Sequence, residues 1–282
     1  MSHSTLVSST VLADHLHDPG WRVFDCRHQL ADPGAGARAY ADGHLPGAFF
    51  LHLDADLSGA MTGRNGRHPL PDPMQLAARL GAAGVSRATQ VIAYDDSGGM
   101  FASRLWWLLR WLGHPRVAVL DGGLAGWLAE GRALTTDLPT SAAAALEVAL
   151  RDQVVSTETV LAHLDDMKFR LLDARSPDRF RGENETLDRV GGHIPGASNR
   201  FFRDNLDADG RFRPAAELRR DFLALLAGVE PEQVVMSCGS GVTACHNLLA
   251  MAIAGLPGAR LYAGSWSEWC SDPVRPVAGG TP

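Results

Sequence analysis

The chain has 282 residues, enough for two domains of ordinary size, and 45% of them are hydrophobic. Its formal net charge of -6 gives no basic footprint, which argues against nucleic acid as a partner. Its apolar stretches fall short of the ~20 residues that a bilayer requires, and its N-terminus lacks the pattern of a secretory signal. Four scattered cysteines show neither zinc-ligand spacing nor a disulfide framework. We therefore expect a cytoplasmic protein without a metal site or a membrane partner.

The first half of the chain alternates short apolar strands with amphipathic helices. The strand residues 23–27 (VFDCR) precede a loop at 42–50 (DGHLPGAFF), a helix at 71–85 and a strand and loop at 90–100 (QVIAYDDSGGM). Such alternation predicts a mostly parallel sheet with helices on both faces. The Trp-rich stretch 104–113 has apolar residues at helical spacing, which favours core packing over a ligand surface.

The second half repeats these elements in the same order. Three stretches return: VFDCR as LLDAR, DGHLPGAFF as GGHIPGASN, and QVIAYDDSGGM as QVVMSCGSGVT. Asp25 thus lies opposite Asp173, and His44 opposite His193. Because the paired stretches lie about 145 residues apart, the sequence predicts a tandem duplication of one domain. We expect residues 1–138 to form the first domain, residues 139–152 a linker and residues 153–282 the second domain.

A cysteine stands at a predicted strand-to-helix turn in the second half. The segment SCGSGVTA (237–244) follows the short β-branched strand 234–236 and precedes an apolar helix at 244–255. Unpaired N–H groups and the positive end of the helix dipole meet at such a turn and favour a thiolate. The repeat places Asp95 opposite Cys238, so the nucleophile occurs in the second half alone. The alternative interpretation is a buried structural cysteine at a strand end.

The duplicated halves, the D-x-R and G-H-[IL]-P-G-A elements and the CGSGVTA loop together resemble the two-domain rhodanese family of sulfurtransferases. The resemblance runs from about residue 7 to about residue 276, and the loop is most similar to that of the family's 3-mercaptopyruvate sulfurtransferases. It implies an α/β fold of two tandem rhodanese-like domains, each a mostly parallel sheet flanked by helices. The first domain would be non-catalytic and the second catalytic, and no cofactor is implied.

The resemblance also implies roles for particular residues. Cys238 would attack the donor and become a persulfide, whose negative charge the loop amides would hold. The donor-binding set comprises Arg179, Arg189, Gly239, Gly241, Val242 and Thr243. In it, Arg179 and Arg189 would bind the carboxylate and keto oxygen, although either arginine is also compatible with a solvated surface charge.

A proton relay is implied as well. Ser240 would relay a proton together with His44 from the first domain. The occurrence of the same motif around His193 leaves open a structural role for His44. Thr243 is also compatible with a simple helix cap.

The absence of charge in the loop favours one donor over another. Thiosulfate is a compact dianion, and Gly239 and Ser240 stand where its dedicated enzymes carry basic residues. We therefore expect 3-mercaptopyruvate to supply the sulfur, which passes through Cys238 to a thiol or cyanide as pyruvate is released. The alternatives are a thiosulfate:cyanide sulfurtransferase and a non-enzymatic sulfur-carrier module.

Two further expectations concern other activities and partners. A cysteine phosphatase would need an arginine six positions after Cys238, where Ala244 stands. We expect a monomer whose acceptor is a thiol, with thioredoxin implied by the resemblance.

Overall fold

The computed structural model describes residues 2–166 and 168–279 and divides the chain into two compact units. The first unit contains the residues up to Gly59, Leu70–Asp152 and Asp207–Phe212. The second contains Ala60–Pro69, Gln153–Leu206 and the chain from Arg213 onward. The division at Asp152 coincides with the end of the expected linker, but the assignment of residues 60–69 and 207–212 does not follow the order of the chain.

The first unit is built on a five-stranded parallel sheet in the order β1-β5-β4-β2-β3. Its strands are β1 (Leu6–Val7), β2 (Trp21–Asp25), β3 (Ala48–Phe50), β4 (Gln90–Tyr94) and β5 (Val117–Leu120). Its helices are α1 (Ser9–Asp14), α2 (Ala35–Asp42), α3 (Pro73–Ala82), α4 (Ala102–Trp111) and α5 (Gly123–Ala129). Every residue of β4 is buried, as a central parallel strand covered on both faces requires.

The second unit repeats this plan with a four-stranded parallel sheet in the order β7-β6-β8-β9. Its strands are β6 (Arg170–Asp173), β7 (Ser198–Asn199), β8 (Val234–Ser237) and β9 (Arg260–Leu261). Its α-helices are α6 (Thr157–Ala162), α7 (Pro177–Arg181), α8 (Ala215–Leu226), α9 (Thr243–Ile253) and α10 (Ser265–Trp269), and its 3-10 helices are Phe202–Asn205 and Pro231–Gln233. The predicted α/β fold of two tandem parallel-sheet domains is thereby confirmed.

The D-x-R elements form the same clamp in both units. Arg27 binds the Asp25 carboxylate through Nε and Nη2 and donates to the carbonyl of Gly43 at 2.7 Å. Arg175 binds Asp173 in the same way and donates to the carbonyl of a glycine in the second G-H-x-P-G loop at 2.8 Å. Each pair is buried, so each arginine ties the end of a central strand to the neighbouring loop.

Two other stretches pack within the first unit. The expected linker 139–152 donates amide hydrogen bonds from Ala144 to Gly81 and from Ala149 to Leu112, both at 2.9 Å. The Trp-rich stretch lies in α4, where its three tryptophans are at most 8% exposed, in keeping with the predicted core role. No helix within residues 2–166 or 168–279 is long and apolar enough to cross a membrane.

Candidate active site

Cys238 follows directly after β8, at the carboxyl edge of the second unit's sheet. Strand β8 lies between β6 and β9, and the loop that follows it leads into helix α9. The Cys238 side chain is 2% exposed, and its backbone amide donates to Ser265 Oγ at 3.0 Å. The carboxyl edge is where open parallel sheets place their ligands. The cysteine therefore occupies the position that the sequence pattern predicted.

The loop after Cys238 curls so that an amide points at the sulfur. The N–H of Gly241 donates to Cys238 Sγ at 3.1 Å. Gly241 has a φ of +77°, and a Cβ there would lie 2.3 Å from the carbonyl oxygen of Ala263. A glycine is therefore required both for the left-handed backbone and for the close approach of the segment that contains Ala263. The N-terminus of α9 adds a positive dipole end at the same place.

The equivalent loop of the first unit shows what such a turn binds. Asp95 is fully buried, and its carboxylate accepts the amide N–H groups of Ser97, Gly99, Phe101 and Ala102 at 2.8–2.9 Å. Burial raises the pKa of Asp95, and the four amide hydrogen bonds oppose that shift. A loop of this form thus satisfies a buried carboxylate with backbone donors alone. In the Cys238 loop a backbone donor of the same kind, the Gly241 amide, contacts the sulfur.

The guanidinium groups of two arginines lie next to Gly239 in the Cys238 loop. A Cβ built on Gly239 would lie 2.9 Å from Nη2 of Arg67 and 3.6–3.7 Å from the two Nη atoms of Arg179. Arg179 was assigned to the donor on sequence grounds, whereas Arg67 was not. Because Gly239 has no side chain, both cations reach the loop directly. The positive charge next to the cysteine loop is therefore supplied by Arg67 and Arg179, which lie outside the loop in the sequence.

Buried carboxylates already pair with these cations. Arg179 donates to both oxygens of Glu185 at 2.8–2.9 Å, and its Nη2 lies 3.5 Å from Asp188 Oδ2. Arg67 Nη1 pairs with Asp188 Oδ1. Arg189 is exposed and lines a cavity of about 190 Å³ together with Arg67 and Asp188. Of the two arginines predicted to bind the donor, Arg179 thus reaches the loop and Arg189 lies at a neighbouring cavity.

A third guanidinium lies beneath the site. Arg175 is 3% exposed, and its guanidinium carbon lies 4.9 Å from the centre of the Trp266 ring. Burial lowers the pKa of Arg175, but Asp173, Glu185 and Cys238 together more than offset this, so its pKa is raised. The Trp266 amide donates to the carbonyl of Cys238 at 2.9 Å. Arg175 therefore supplies fixed positive charge near the sulfur while it serves as the structural clamp.

The imidazole that contacts Ser240 is His68, which the sequence analysis did not select. Ser240 Oγ and His68 Nδ1 lie 2.7 Å apart in a hydrogen bond, and both side chains are at most 7% exposed. His44, which was expected in this place, is fully buried in the first unit. Its Nδ1 and Nε2 lie 2.8 and 3.1 Å from the carbonyl oxygens of Tyr40 and Asp137.

His193 of the second half occupies the position equivalent to His44 and can be compared with it. His193 bonds through Nδ1 to the carbonyl of Phe180 at 2.8 Å and stacks on that ring at 3.8 Å. His44 stacks on Tyr40 at 3.9 Å in the same manner. Since both histidines of the repeated motif make the same contacts, they hold a loop in place. The expectation that His44 is the partner of Ser240 is therefore corrected to His68.

A comparison of the repeats contains a signal for His68 but not for Arg67, which lies opposite Arg211. GRHP at 66–69 corresponds to GRFRP at 210–214, so a histidine stands opposite Phe212. This is the same kind of difference that singles out Cys238 against Asp95. The loop itself carries no local sequence pattern that places it in the second unit, so its two residues were not among those predicted.

The remaining predicted residues, Val242 and Thr243, follow Cys238 in the same loop and at the start of α9. Val242 is the N-cap residue of α9 and Thr243 is its first residue, and both are at most 8% exposed. Val242 therefore holds the cap position that one interpretation gave to Thr243.

Two other cysteines are buried. Cys245 Sγ contacts the carbonyl of Gly241 at 3.3 Å inside the core. Burial raises the pKa of Cys26 well above its usual value, which leaves that thiol protonated and inert.

Three potential metal ligands meet in the first unit. His28, His52 and Asp54 have ligand atoms within 4.8 Å of one another. His52 Nδ1 already accepts the amides of Asp54 and Ala55 at 3.0 and 3.3 Å, and its Nε2 contacts the carbonyl of Pro33 at 3.0 Å. Because both ring nitrogens of His52 are engaged, we assign no metal to this group.

Comparisons with known proteins agree with the duplicated architecture. A family model described as Rhodanese-like domain matches residues 8–130 and 156–272. A Pseudomonas aeruginosa protein named "Probable 3-mercaptopyruvate sulfurtransferase" is 50% identical over 99% of this chain and 100% of its own length. The thiosulfate sulfurtransferase of Bos taurus is 34% identical over 95% of this chain and 92% of its own. The crystal structure of SseA from Escherichia coli, a 3-mercaptopyruvate sulfotransferase, is 32% identical, with a TM-score of 0.79 over 94% of this chain and 99% of that one.

Proposed function

The chain belongs to the rhodanese family of sulfurtransferases, and from this premise we propose that it transfers the sulfur of 3-mercaptopyruvate through a persulfide on Cys238. The observation that carries the proposal is the buried thiol 3.1 Å from a backbone donor, in a loop without charge, beside a serine–histidine pair. Relatives named for this activity match almost the full length of the chain.

The chemistry divides into two half-reactions. The Cys238 thiolate attacks the sulfur of 3-mercaptopyruvate, and the C–S bond of the donor breaks with its electron pair leaving on carbon as the enolate of pyruvate. The proton that was on the donor sulfur goes to that carbon, which yields pyruvate and the cysteine persulfide. A thiol or cyanide then attacks the outer sulfur, and the electron pair of the S–S bond returns to Cys238. The kinetics should be ping-pong.

The residues around the loop suit these steps. The Gly241 amide and the α9 N-terminus stabilise the negative sulfur, as the four amides of the first unit stabilise Asp95. Ser240 and His68 can carry the proton between sulfur and carbon because their side chains share a hydrogen bond. Arg179 and Arg67 stand where a donor carboxylate can meet a guanidinium at the loop.

A second candidate donor is thiosulfate. Arg67 and Arg179 reach the face of the loop at Gly239, and cations at that face would attract a dianion. Relatives named thiosulfate sulfurtransferase match 92–95% of the chain. The uncharged loop and the carboxylates that pair with both arginines favour 3-mercaptopyruvate instead.

A comparison of the two donors tests the function. We expect kcat/KM with 3-mercaptopyruvate to exceed that with thiosulfate by at least about tenfold, since the dianion finds few unpaired cations. Pyruvate release should accompany turnover, and mass spectrometry should find one added sulfur on the Cys238 peptide when the acceptor is withheld. A preference for thiosulfate would contradict the choice of donor, and the absence of any sulfur on Cys238 would contradict the mechanism.

A His68→Ala variant should separate the two donors. With 3-mercaptopyruvate we expect kcat to fall about 100-fold, because a proton must reach the enolate carbon. With thiosulfate the leaving group is the stable sulfite anion, so kcat should change by less than about fivefold. The exposed His17→Ala is the matched control and should behave as the wild type. An equal loss with both donors would contradict the proton-transfer role.

The acceptor, the oligomeric state and the compartment belong to the same proposal. We propose a thiol acceptor, with a thioredoxin-type dithiol as the protein candidate and a monomeric enzyme. All four cysteines are free thiols, which is the state that a reducing compartment such as the cytoplasm maintains.

A further inference from the structure

Asp188 is a buried acid wedged between the two cations of the cysteine loop. Its side chain is 4% exposed, with one oxygen paired to Arg67 and the other 3.5 Å from Arg179. Burial raises the pKa of Asp188, and the two arginines oppose that shift. The backbone N–H of Asp188 donates to Glu185 at 3.0 Å, which fixes the position of the acid in its loop.

Three arginines near the loop each form an ion pair with a carboxylate. Arg67 is matched by Asp188, Arg179 by Glu185, and the clamp Arg175 by Asp173. Asp188 is the acid whose partners are the two guanidinium groups that touch Gly239. Its removal would therefore leave one unit of positive charge uncompensated at the face where the donor approaches Cys238.

We propose that Asp188 is a positioning and specificity-determining residue: it holds Arg67 and Arg179 against the loop and limits their net charge, so that singly charged donors are favoured over dianions. This inference rests on the proposed sulfur transfer through Cys238. It does not depend on which donor is preferred, because it concerns the change in preference when the charge at residue 188 is altered.

A purely structural role for Asp188 predicts a different outcome. If Asp188 only held the loop 182–190 in place, its loss would lower kcat/KM for every donor by the same factor. A charge effect changes the two donors unequally, because a dianion gains about twice the attraction of a monoanion from an added positive charge. The ratio of kcat/KM for thiosulfate to kcat/KM for 3-mercaptopyruvate therefore separates the two roles.

The test uses the full chain with Asp188→Asn, which keeps the shape and removes the charge. We expect the thiosulfate to 3-mercaptopyruvate ratio to rise about tenfold over the wild type. Asp188→Glu, which restores the charge, should return the ratio to within about threefold of the wild type. The exposed Asp165→Asn of the same unit controls for the loss of one negative charge elsewhere and should leave the ratio unchanged.

Asp188→Ser is prepared alongside, because water can fill the smaller site if the asparagine does not allow folding. A ratio that stays at the wild-type value in the folded neutral variants, or a parallel loss with both donors, would overturn the proposal. If the wild type itself transferred no sulfur, the proposed function would fail first, and that failure is visible before any variant is compared.

Discussion

Replacement of Cys238 by serine should reduce sulfur transfer from 3-mercaptopyruvate by at least about 1,000-fold, because a serine hydroxyl is not ionised at neutral pH and cannot store sulfur. The substitution changes one atom, so the loop and the Gly241 contact should persist. The measurement is pyruvate release together with the mass of the peptide that contains residue 238. The wild type should gain one sulfur, and Cys238→Ser should gain none.

Cys270 provides a control for this experiment. Cys270 is half-buried and burial raises its pKa, so Cys270→Ser should leave kcat within about twofold of the wild type. Thermal unfolding of the two variants should match that of the wild type, which separates lost chemistry from lost folding. Pyruvate release by Cys238→Ser at the wild-type rate would show that another group carries the sulfur.

The position of Cys238 could be predicted because its cause is local. A β-branched strand, two glycines and an apolar helix define a strand-to-helix turn, and the observed elements β8 and α9 begin and end within two residues of the predicted ones. The duplication then supplied an internal comparison, since Asp95 occupies the same turn. Both findings depend on neighbours in the chain, which the sequence displays directly.

Arg67 and His68 could not be placed in the same way because their cause is tertiary. They lie between β3 and α3 of the first half, yet their segment belongs to the second unit, where Arg67 meets Asp188 and His68 meets Ser240. Contacts across 121 and 172 residues leave no periodic trace in the sequence. Only the contrast with Phe212 in the equivalent stretch of the second half indicates His68, whereas Arg67 lies opposite another arginine, Arg211.

The G-H-x-P-G motif occurs in both halves, so its presence alone does not indicate a catalytic histidine. A residue that serves the chemistry of one site should differ between a catalytic and a non-catalytic half, as Cys238 and Asp95 do. His44 and His193 instead make the same carbonyl and stacking contacts. For these two histidines, the identity between the repeats thus indicates a structural role.

Substitution of Asp95 by alanine should lower the free energy of unfolding of the first unit by about 3 kcal/mol, because four buried amide N–H groups lose their acceptor. Five of the seven tryptophans lie in the first unit, so intrinsic fluorescence during urea unfolding reports mainly on it. The exposed neighbour Asp96→Ala is the matched control and should change the free energy by less than about 0.5 kcal/mol. An unchanged urea midpoint for Asp95→Ala would show that the amides do not depend on the carboxylate.

A small carboxylate supplied from outside should reverse part of this loss. Formate has the size of the group that Asp95→Ala removes, and binding to the folded state alone stabilises that state in proportion to the logarithm of its concentration. The urea midpoint of the variant should therefore rise with added formate, while chloride at equal ionic strength should have a smaller effect. Rescue would show that a loop of this form is itself an anion site. Because the Cys238 loop repeats that form with a sulfur at its centre, the same backbone donors would then account for holding the persulfide without a single charged residue in the loop.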